Sequence, residues 1–270
     1  MSYFTIYQIN NHIYQLKDPM GVLVTLIIGK EKAMLVDTAY GIGNLKGLVK
    51  SITDKELIVV ATHGHMDHTG GNYTFDKVYI HKDDVALCTK HNSLAWRKRN
   101  INNATNLNLF KDNFDVDTYL TKDQGNLVLL EENQTFDLGG ITTTIIPMPG
   151  HTTGSIGVLL NEDRILITSD AACPFVWLFL EESTTVSTYV KMLEHVLTLP
   201  YDYILLGHGK GELIDGKRMI DFYNIANTID LEKSVQVYFN NFDHLTSYCF
   251  THHKMYDQSG CGIVFDPNKM

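Results

Sequence analysis

Four side chains that can bind a metal ion lie within six consecutive residues of this chain. They occur in the sequence Thr62-His63-Gly64-His65-Met66-Asp67-His68 and are His63, His65, Asp67 and His68. The preceding residues, Leu57 to Ala61, are apolar and rich in β-branched side chains, which predicts a short buried strand. Imidazole and carboxylate groups on a loop at the carboxyl end of such a strand are typical of a metal site in an α/β sheet.

The spacing of these side chains favours two neighbouring metal ions over one. His63 and His65 are two residues apart and can point the same way from an extended strand end. Asp67 and His68 follow the turn and must point elsewhere. The run therefore predicts two pairs of donors.

Three more candidate ligands follow apolar runs further along the chain. They are His151 after Pro149-Gly150, Asp170 after Ile167-Thr168-Ser169, and His208 between Gly207 and Gly209. Because the same local arrangement recurs at separate points of the sequence, we expect these residues to converge on one site with the first group.

Taken in order, these motifs resemble those of the metallo-β-lactamase superfamily of dinuclear metallohydrolases. The resemblance covers roughly residues 20 to 210 and includes an early aspartate after a strand, Asp37. It implies that one metal ion is held by His63, His65 and His151, and a second by Asp67, His68 and His208. Asp170 would bridge the two ions, and Asp67 is the residue that we also predict to be catalytic.

The resemblance implies two Zn²⁺ ions, with iron or manganese as possible replacements, because histidine and carboxylate ligands suit all three metals. Two ions about 3.5–4 Å apart can share a bridging hydroxide and polarise a carbonyl or phosphoryl group together. The predicted activity is hydrolysis of an ester, thioester or lactone carbonyl in a small molecule.

Other activities within the family stay open at this point. β-Lactamases with a cysteine ligand have cysteine at the position of Asp170 and arginine at the position of His68, and neither is present. Glyoxalase II and the quorum-sensing lactonases are similar in ligand set. The alternatives are a small-molecule phosphodiesterase, an iron-dependent dioxygenase and a non-catalytic metal-binding sensor.

Three further segments carry expectations about the site. Asp37 is predicted to hydrogen-bond the loop that carries His63 rather than to bind metal. The apolar stretch from Cys173 to Leu180 is interpreted as a lid or pocket wall, with a core helix or a dimer patch as the alternatives. The basic cluster Trp96-Arg97-Lys98-Arg99 is interpreted as a solvated helix face rather than an RNA contact.

Composition is that of an ordinary globular protein. The chain has 270 residues, of which 44% are hydrophobic and 20% charged, and its net charge of −9 disfavours a nucleic-acid partner. The four cysteines show no C-x-x-C spacing, and no basic and apolar leader or bilayer-length apolar stretch is visible. We expect a cytoplasmic protein without a membrane partner; the sequence leaves its oligomeric state open.

The predicted fold class is α/β, a four-layer αβ/βα sandwich. We expect one domain over residues 1–270, with an insertion at about 91–126 and a helical tail after about 210. The predicted helices cover residues 43–51, a segment after 83, 185–199 and 216–230. The predicted strands cover residues 4–9, 12–16, 22–28, 33–36, 57–61, 127–130, 141–146, 155–160, 164–168 and 203–206.

Overall fold

A computed structural model describes residues 3–110, 114–131, 133–240, 242–252 and 260–270 of the chain. These residues fall into two compact units. The N-terminal unit lies within Met1–Thr143 and Lys210–Glu212, and the C-terminal unit within Thr144–Gly209 and Leu213–Met270. None of the helices in the described ranges is long and apolar enough to cross a bilayer.

In the described residues, runs of strands are interrupted by helices. The strands are β1 (Thr5–Gln8), β2 (Ile13–Lys17), β3 (Leu23–Ile28), β4 (Lys32–Val36), β5 (Glu56–Val60), β6 (Val78–Ile80), β7 (Leu127–Leu129), β8 (Thr135–Asp137), β9 (Thr142–Pro147), β10 (Ile156–Leu160), β11 (Ile165–Ser169), β12 (Phe175–Leu178), β13 (Tyr203–Leu206), β14 (Ile214–Asp215), β15 (Val235–Gln236), β16 (Tyr248–Thr251) and β17 (Gly262–Phe265). The helices are α1 (Leu45–Ile52), α2 (Met66–Thr69), α3 (Val85–His91), α4 (Leu94–Asn106), α5 (Val116–Leu120), α6 (Val186–Val196) and α7 (Arg218–Asn227). Each strand predicted from the sequence is present to within one residue at either end.

The N-terminal unit is built on a seven-stranded sheet in the order β1-β2-β3-β4-β5-β6-β7. Strands β1 to β4 form an antiparallel meander, and β4 to β7 run parallel. Strand β3 is buried along almost its whole length, and all of its residues except Thr25 are apolar. The carboxyl ends of β4 and β5 therefore meet at one edge, where parallel strands present functional side chains.

The C-terminal unit contains two sheets. In one, β11 pairs with β10 antiparallel and with β13 parallel, and β13 pairs with β14. In the other, the order is β12-β17-β16-β15, with β12 parallel to β17. Helices α6 and α7 pack into the apolar core of this unit through residues such as Leu193 and Phe222.

The segment at 91–126, which the sequence predicts to be an insertion, has regular structure. It contains helices α4 and α5. The hydrophobic periodicity of α4 is weak because its buried residues are Arg97, Asn100 and Ala104, of which two are polar. The hydrophobic pattern of the sequence therefore does not indicate this helix. Whether the segment is an insertion stays a prediction.

The tail after residue 210 is also different from the expectation of a helical tail. It contains helix α7 and then strands β15, β16 and β17. Strand β17 is buried throughout and pairs with β12, so the tail supplies three of the four strands of a sheet rather than only a helical extension. Its β-prone sequence is short and adjoins the turn-forming residues around Asp266 and Pro267, so the sequence gives only a weak strand signal there.

Arg97 is fully buried, so the expectation of a solvated face is wrong for this residue. Its guanidinium lies over the rings of Tyr73 and Tyr119, 5.1 and 4.7 Å from their centroids. It donates hydrogen bonds to the Gly70 carbonyl (3.3 Å), the Asn92 side-chain oxygen (2.8 Å) and the Asp123 carbonyl (2.8 Å). Burial lowers the pKa of Arg97. One buried cation thus fastens α4 to the residue that follows α2.

We expect Arg97→Met to lower the free energy of unfolding by about 2–4 kcal/mol, because it removes the donor for three oxygen atoms and leaves buried carbonyls unpaired. Urea denaturation measures the change. Lys98→Met on the exposed face of the same helix is the matched control and should stay within about 0.5 kcal/mol of the wild type. A loss below about 1 kcal/mol for Arg97→Met would show that the cation contributes little.

Candidate metal centre

The first donor group follows strands β4 and β5 of the N-terminal unit. Their parallel register sets Val36 opposite Val60, so Asp37 and the loop beginning at Ala61 leave the sheet side by side. The Asp37 N–H donates to the Val60 carbonyl at 2.8 Å. Asp37 has a φ of +70°, a left-handed conformation that aspartate tolerates better than most residues. This turn directs its carboxylate towards the histidine run.

The Asp37 carboxylate holds the loop at two points. It accepts hydrogen bonds from the backbone N–H of Thr62 at 2.7 Å and from the Thr62 hydroxyl at 2.9 Å. It also lies 2.8 Å from Nδ1 of His68. The predicted hydrogen bond between Asp37 and the loop is therefore present, and a second one reaches His68.

These contacts determine which ring nitrogens carry protons. A carboxylate only accepts, so Nδ1 of His68 donates and Nε2 keeps its lone pair in the neutral ring. The Thr62 hydroxyl donates to Asp37, so its oxygen is free to accept from Nδ1 of His63, 3.1 Å away. The Nε2 atoms of His63 and His68 are thereby left as metal-binding atoms.

The spacing of the donor atoms fits ligands of one ion. Nε2 of His63 lies 3.1 Å from Nδ1 of His65, and Nε2 of His68 lies 3.4 Å from Oδ2 of Asp67. Two donors at about 2.0–2.2 Å from one tetrahedral Zn²⁺ are separated by roughly 3.3–3.5 Å. The lone pair on Nε2 of His68 and the negative charge on Oδ2 of Asp67 repel each other, and a bound cation would remove this repulsion. Both pairs of the run thus fit the predicted metal.

The glycine between the two histidines is required by packing. A Cβ atom at Gly64 would lie 2.7 Å from the backbone nitrogen of Cys88 and 2.8 Å from the carbonyl oxygen of Asp84. The Gly64 N–H donates to the Asp84 carboxylate at 2.6 Å. Helix α3 and the turn before it therefore hold the loop at a second place, in addition to Asp37.

The second donor group lies in the C-terminal unit, at the carboxyl ends of β11 and β13. These strands are parallel and bring Ser169 opposite Leu206, so Asp170 and His208 leave the sheet at the same edge. Ser169 has a φ of +46°, an uncommon conformation that turns the chain sharply before Asp170. Nε2 of His208 lies 3.4 Å from Oδ2 of Asp170.

His151 joins this group from the loop after β9. Its Nδ1 lies 3.0 Å from the Trp177 carbonyl, which can only accept, so Nδ1 carries the proton. Its Nε2 lies 3.7 Å from Oδ2 of Asp170. The Ser183 hydroxyl donates to the His151 carbonyl at 2.8 Å. This loop presents the same unprotonated ring nitrogen as His63 and His68.

The other oxygen of Asp170 faces a cysteine. The thiol sulfur of Cys173 lies 3.3 Å from Oδ1 of Asp170 and 3.4 Å from the Ser169 carbonyl. Burial, with the adjacent Asp170 carboxylate, raises the pKa of the Cys173 thiol well above its usual range. The thiol is therefore a donor at this position.

The structure groups the predicted ligands within each unit: His63, His65, Asp67 and His68 in the first, and His151, Asp170 and His208 in the second. The sequence analysis missed three contributors, namely Asp84, Cys173 and the Trp177 carbonyl. Only the position of Cys173, three residues after a predicted ligand, carried a signal. A backbone carbonyl has no signature in the sequence.

The stretch from Cys173 to Leu180 contains strand β12, and therefore not the core helix that was considered for it. Val176 and Leu178 are buried in the core of the C-terminal unit. Phe175 and Trp177 alternate with them and are half-buried. They pack in a cluster, here called the aromatic cluster, with Phe179, Phe239, Phe242 and the apolar residues Leu180, Val237, Leu245, Cys249 and Val264. The period of two places one side of the strand in the core and leaves the other partly exposed.

Comparisons with known proteins identify similar sequences and structures. The family model described as "Metallo-beta-lactamase superfamily" matches residues 18–208. The human acyl-coenzyme A thioesterase MBLAC2 is 26% identical over 191 residues, covering 65% of this chain and 67% of that protein. A probable metallo-hydrolase from Streptococcus pyogenes serotype M6 is 23% identical over 218 residues, covering 77% of this chain and 85% of that protein.

Among solved structures, a metallo-β-lactamase from Pontibacter korlensis has a TM-score of 0.59 and 16% identity, covering 84% of this chain and all of that one. This likeness confirms the predicted fold class, α/β with the metallo-β-lactamase fold. The relatives support the coarser functional prediction, a metal-dependent hydrolase of small molecules.

We expect Asp37→Asn to weaken metal binding by about 10–100-fold, the usual cost of altering a group that orients a ligand. Asparagine suits the positive φ, but its NH₂ group would either donate to Nδ1 of His68, moving the ring proton to the metal-binding nitrogen, or face the Thr62 N–H. Competition with a chelator measures the affinity. The exposed Asp54→Asn is the control, and equal affinities for both variants would contradict the orienting role.

Proposed function

The chain belongs to the metallo-β-lactamase superfamily, and on that premise we propose that it is a dinuclear zinc hydrolase that cleaves the carbonyl–sulfur bond of acyl thioesters. The observation that carries the proposal is the donor geometry: each unit presents imidazole nitrogens and carboxylate oxygens 3.1–3.7 Å apart. In three of the rings the other nitrogen already has a hydrogen-bond acceptor. A catalytic zinc site needs such ligands.

The proposed ligand assignment follows the family pattern. In this assignment, one ion would be held by His63, His65 and His151, the other would be held by Asp67, His68 and His208, and Asp170 would be shared by the two ions. Two bound ions would supply an activated water molecule and polarise the substrate carbonyl.

The remaining role of the protein is to orient the attacking water. Oδ2 of Asp67 lies 3.4 Å from Nε2 of His68, and the Asp67 side chain is 22% exposed. A carboxylate at this position can accept a hydrogen bond from the attacking water. Water adds to the carbonyl carbon, the carbon–sulfur bond breaks, and the products are a carboxylic acid and a thiol. This gives Asp67 the catalytic role predicted from the sequence.

An apolar acyl group is favoured by the aromatic cluster beside β12. Trp177 connects the aromatic cluster to the donor group, because its carbonyl accepts a hydrogen bond from His151. The centroid of its indole ring lies 4.7 Å from that of Phe239 and 5.3 Å from that of Phe179. Trp177 and Phe239 are both half-buried and partly accessible. Half-buried aromatic rings next to a polar site suit a substrate that has an apolar chain attached to a reactive carbonyl.

The test is an activity panel on the zinc-loaded protein with acyl thioesters of increasing chain length, lactones, phosphodiesters and β-lactams. We expect the highest kcat/KM for thioesters with an apolar acyl chain. Iron-loaded protein is tested in parallel for oxygen consumption. Preferred turnover of a phosphodiester, or oxygen uptake without hydrolysis, would reject the proposal and favour one of the alternatives.

Asp170→Asn should reduce the metal content from two ions per chain towards one and lower kcat by about 100-fold or more, because a neutral amide is a poor bridging ligand. Elemental analysis after dialysis gives the stoichiometry. Asp243→Asn, an exposed aspartate of the same unit, serves as the control. Retention of two ions and full activity in Asp170→Asn would refute the bridging role.

Trp177→Ala should raise KM for long acyl chains by about tenfold, which corresponds to about 1.4 kcal/mol of binding free energy. Metal content should be unchanged, since the carbonyl that holds His151 belongs to the backbone. Kinetics and thermal melting on one preparation separate binding from stability. Tyr238→Ala removes a neighbouring aromatic side chain that is 77% exposed and should have little effect. A lower melting temperature with unchanged KM would assign Trp177 to the core alone.

A further inference from the structure

The contact between Cys173 and Asp170 divides the two oxygens of one carboxylate between different partners. Oδ1 lies 3.3 Å from the thiol sulfur of Cys173, and Oδ2 faces the Nε2 atoms of His151 and His208 at 3.7 and 3.4 Å. Because an ionised carboxylate only accepts hydrogen bonds, the thiol must be the donor. The side of the carboxylate away from the imidazoles is therefore held by a protein group.

The backbone conformation holds Cys173 and Asp170 close together. Asp170 begins a single 3₁₀ turn that ends at Cys173, so the two side chains lie one turn apart. Cys173 is 7% exposed, and the sulfur is also within 3.4 Å of the Ser169 carbonyl. These two acceptors belong to Asp170, the proposed ligand, and to Ser169, the residue before it. The thiol can move little without losing Asp170.

We propose that Cys173 is a positioning residue that holds Oδ1 of Asp170, so that the single oxygen Oδ2 serves as the bridging donor. This inference rests on the proposed function, which makes Asp170 a ligand. A carboxylate without this contact could rotate about its Cβ–Cγ bond and offer one oxygen to each ion, which would change their separation. Groups that hold ligand side chains commonly affect metal affinity by about 10–100-fold.

The test compares Cys173→Ala, which removes the donor, with Cys173→Ser, which keeps one. We expect Cys173→Ala to weaken binding of the second metal ion by about 10–100-fold in chelator competition. Cys173→Ser should stay within about threefold of the wild type by the same principle. The absorption spectrum of the Co²⁺-substituted protein gives a second readout, and it should change in the alanine variant alone.

Cys249→Ala is the matched control, because Cys249 is a buried thiol that packs with Phe179 and Val264 in the aromatic cluster. Thermal melting of all variants accounts for packing losses. Equal metal affinity in Cys173→Ala and the wild type would overturn the inference, as would equal losses in the alanine and serine variants.

The two proposals can fail separately. If Asp170→Asn loses metal while Cys173→Ala does not, the ligand assignment stands and the positioning role falls. If Asp170→Asn keeps both ions, the assignment of Asp170 itself is wrong, and the positioning role fails with it.

Discussion

The hydrogen bonds of the buried Asp37 carboxylate are the interaction on which the donor group of the N-terminal unit depends. A histidine binds a metal ion only through an unprotonated nitrogen, and a free imidazole ring can carry its proton on either one. Asp37 removes this choice for His68 by direct contact and for His63 through the Thr62 hydroxyl. In the C-terminal unit the Trp177 carbonyl does the same for His151. The fold thus supplies acceptors as well as ligands.

Much of this could be predicted from the sequence, because ligands and strands have strong local signatures. The run from His63 to His68 follows an apolar β-branched segment, and parallel strands bring such ends to one edge. The role of Asp37 was also predictable from its position after β4. The Trp177 carbonyl was not, since every residue has a carbonyl and only the folded chain selects one.

Helix α4 shows why the remaining part of the fold was harder to predict. Prediction from hydrophobic periodicity assumes that buried means apolar, and Arg97 and Asn100 violate this assumption. Arg97 is stabilised by carbonyl oxygens and aromatic rings, none of which is close to it in the sequence. The tail after residue 210 was misjudged for a related reason: strand β17 is short, and its partner β12 precedes it by more than eighty residues. Non-local pairing leaves little trace in a local pattern.

Strand β12 connects the chemistry to the selectivity of the site. Its alternation puts Val176 and Leu178 into the core, and this anchoring fixes the backbone that carries the Trp177 carbonyl. The same alternation turns the Phe175 and Trp177 side chains towards the aromatic cluster, which residues of the C-terminal tail complete. Substitutions in the tail can therefore alter the aromatic surface while β12 keeps His151 in place. Under the proposed function, a strand with one face in the core and one in the cluster would let substrate preference change without loss of the ligand geometry.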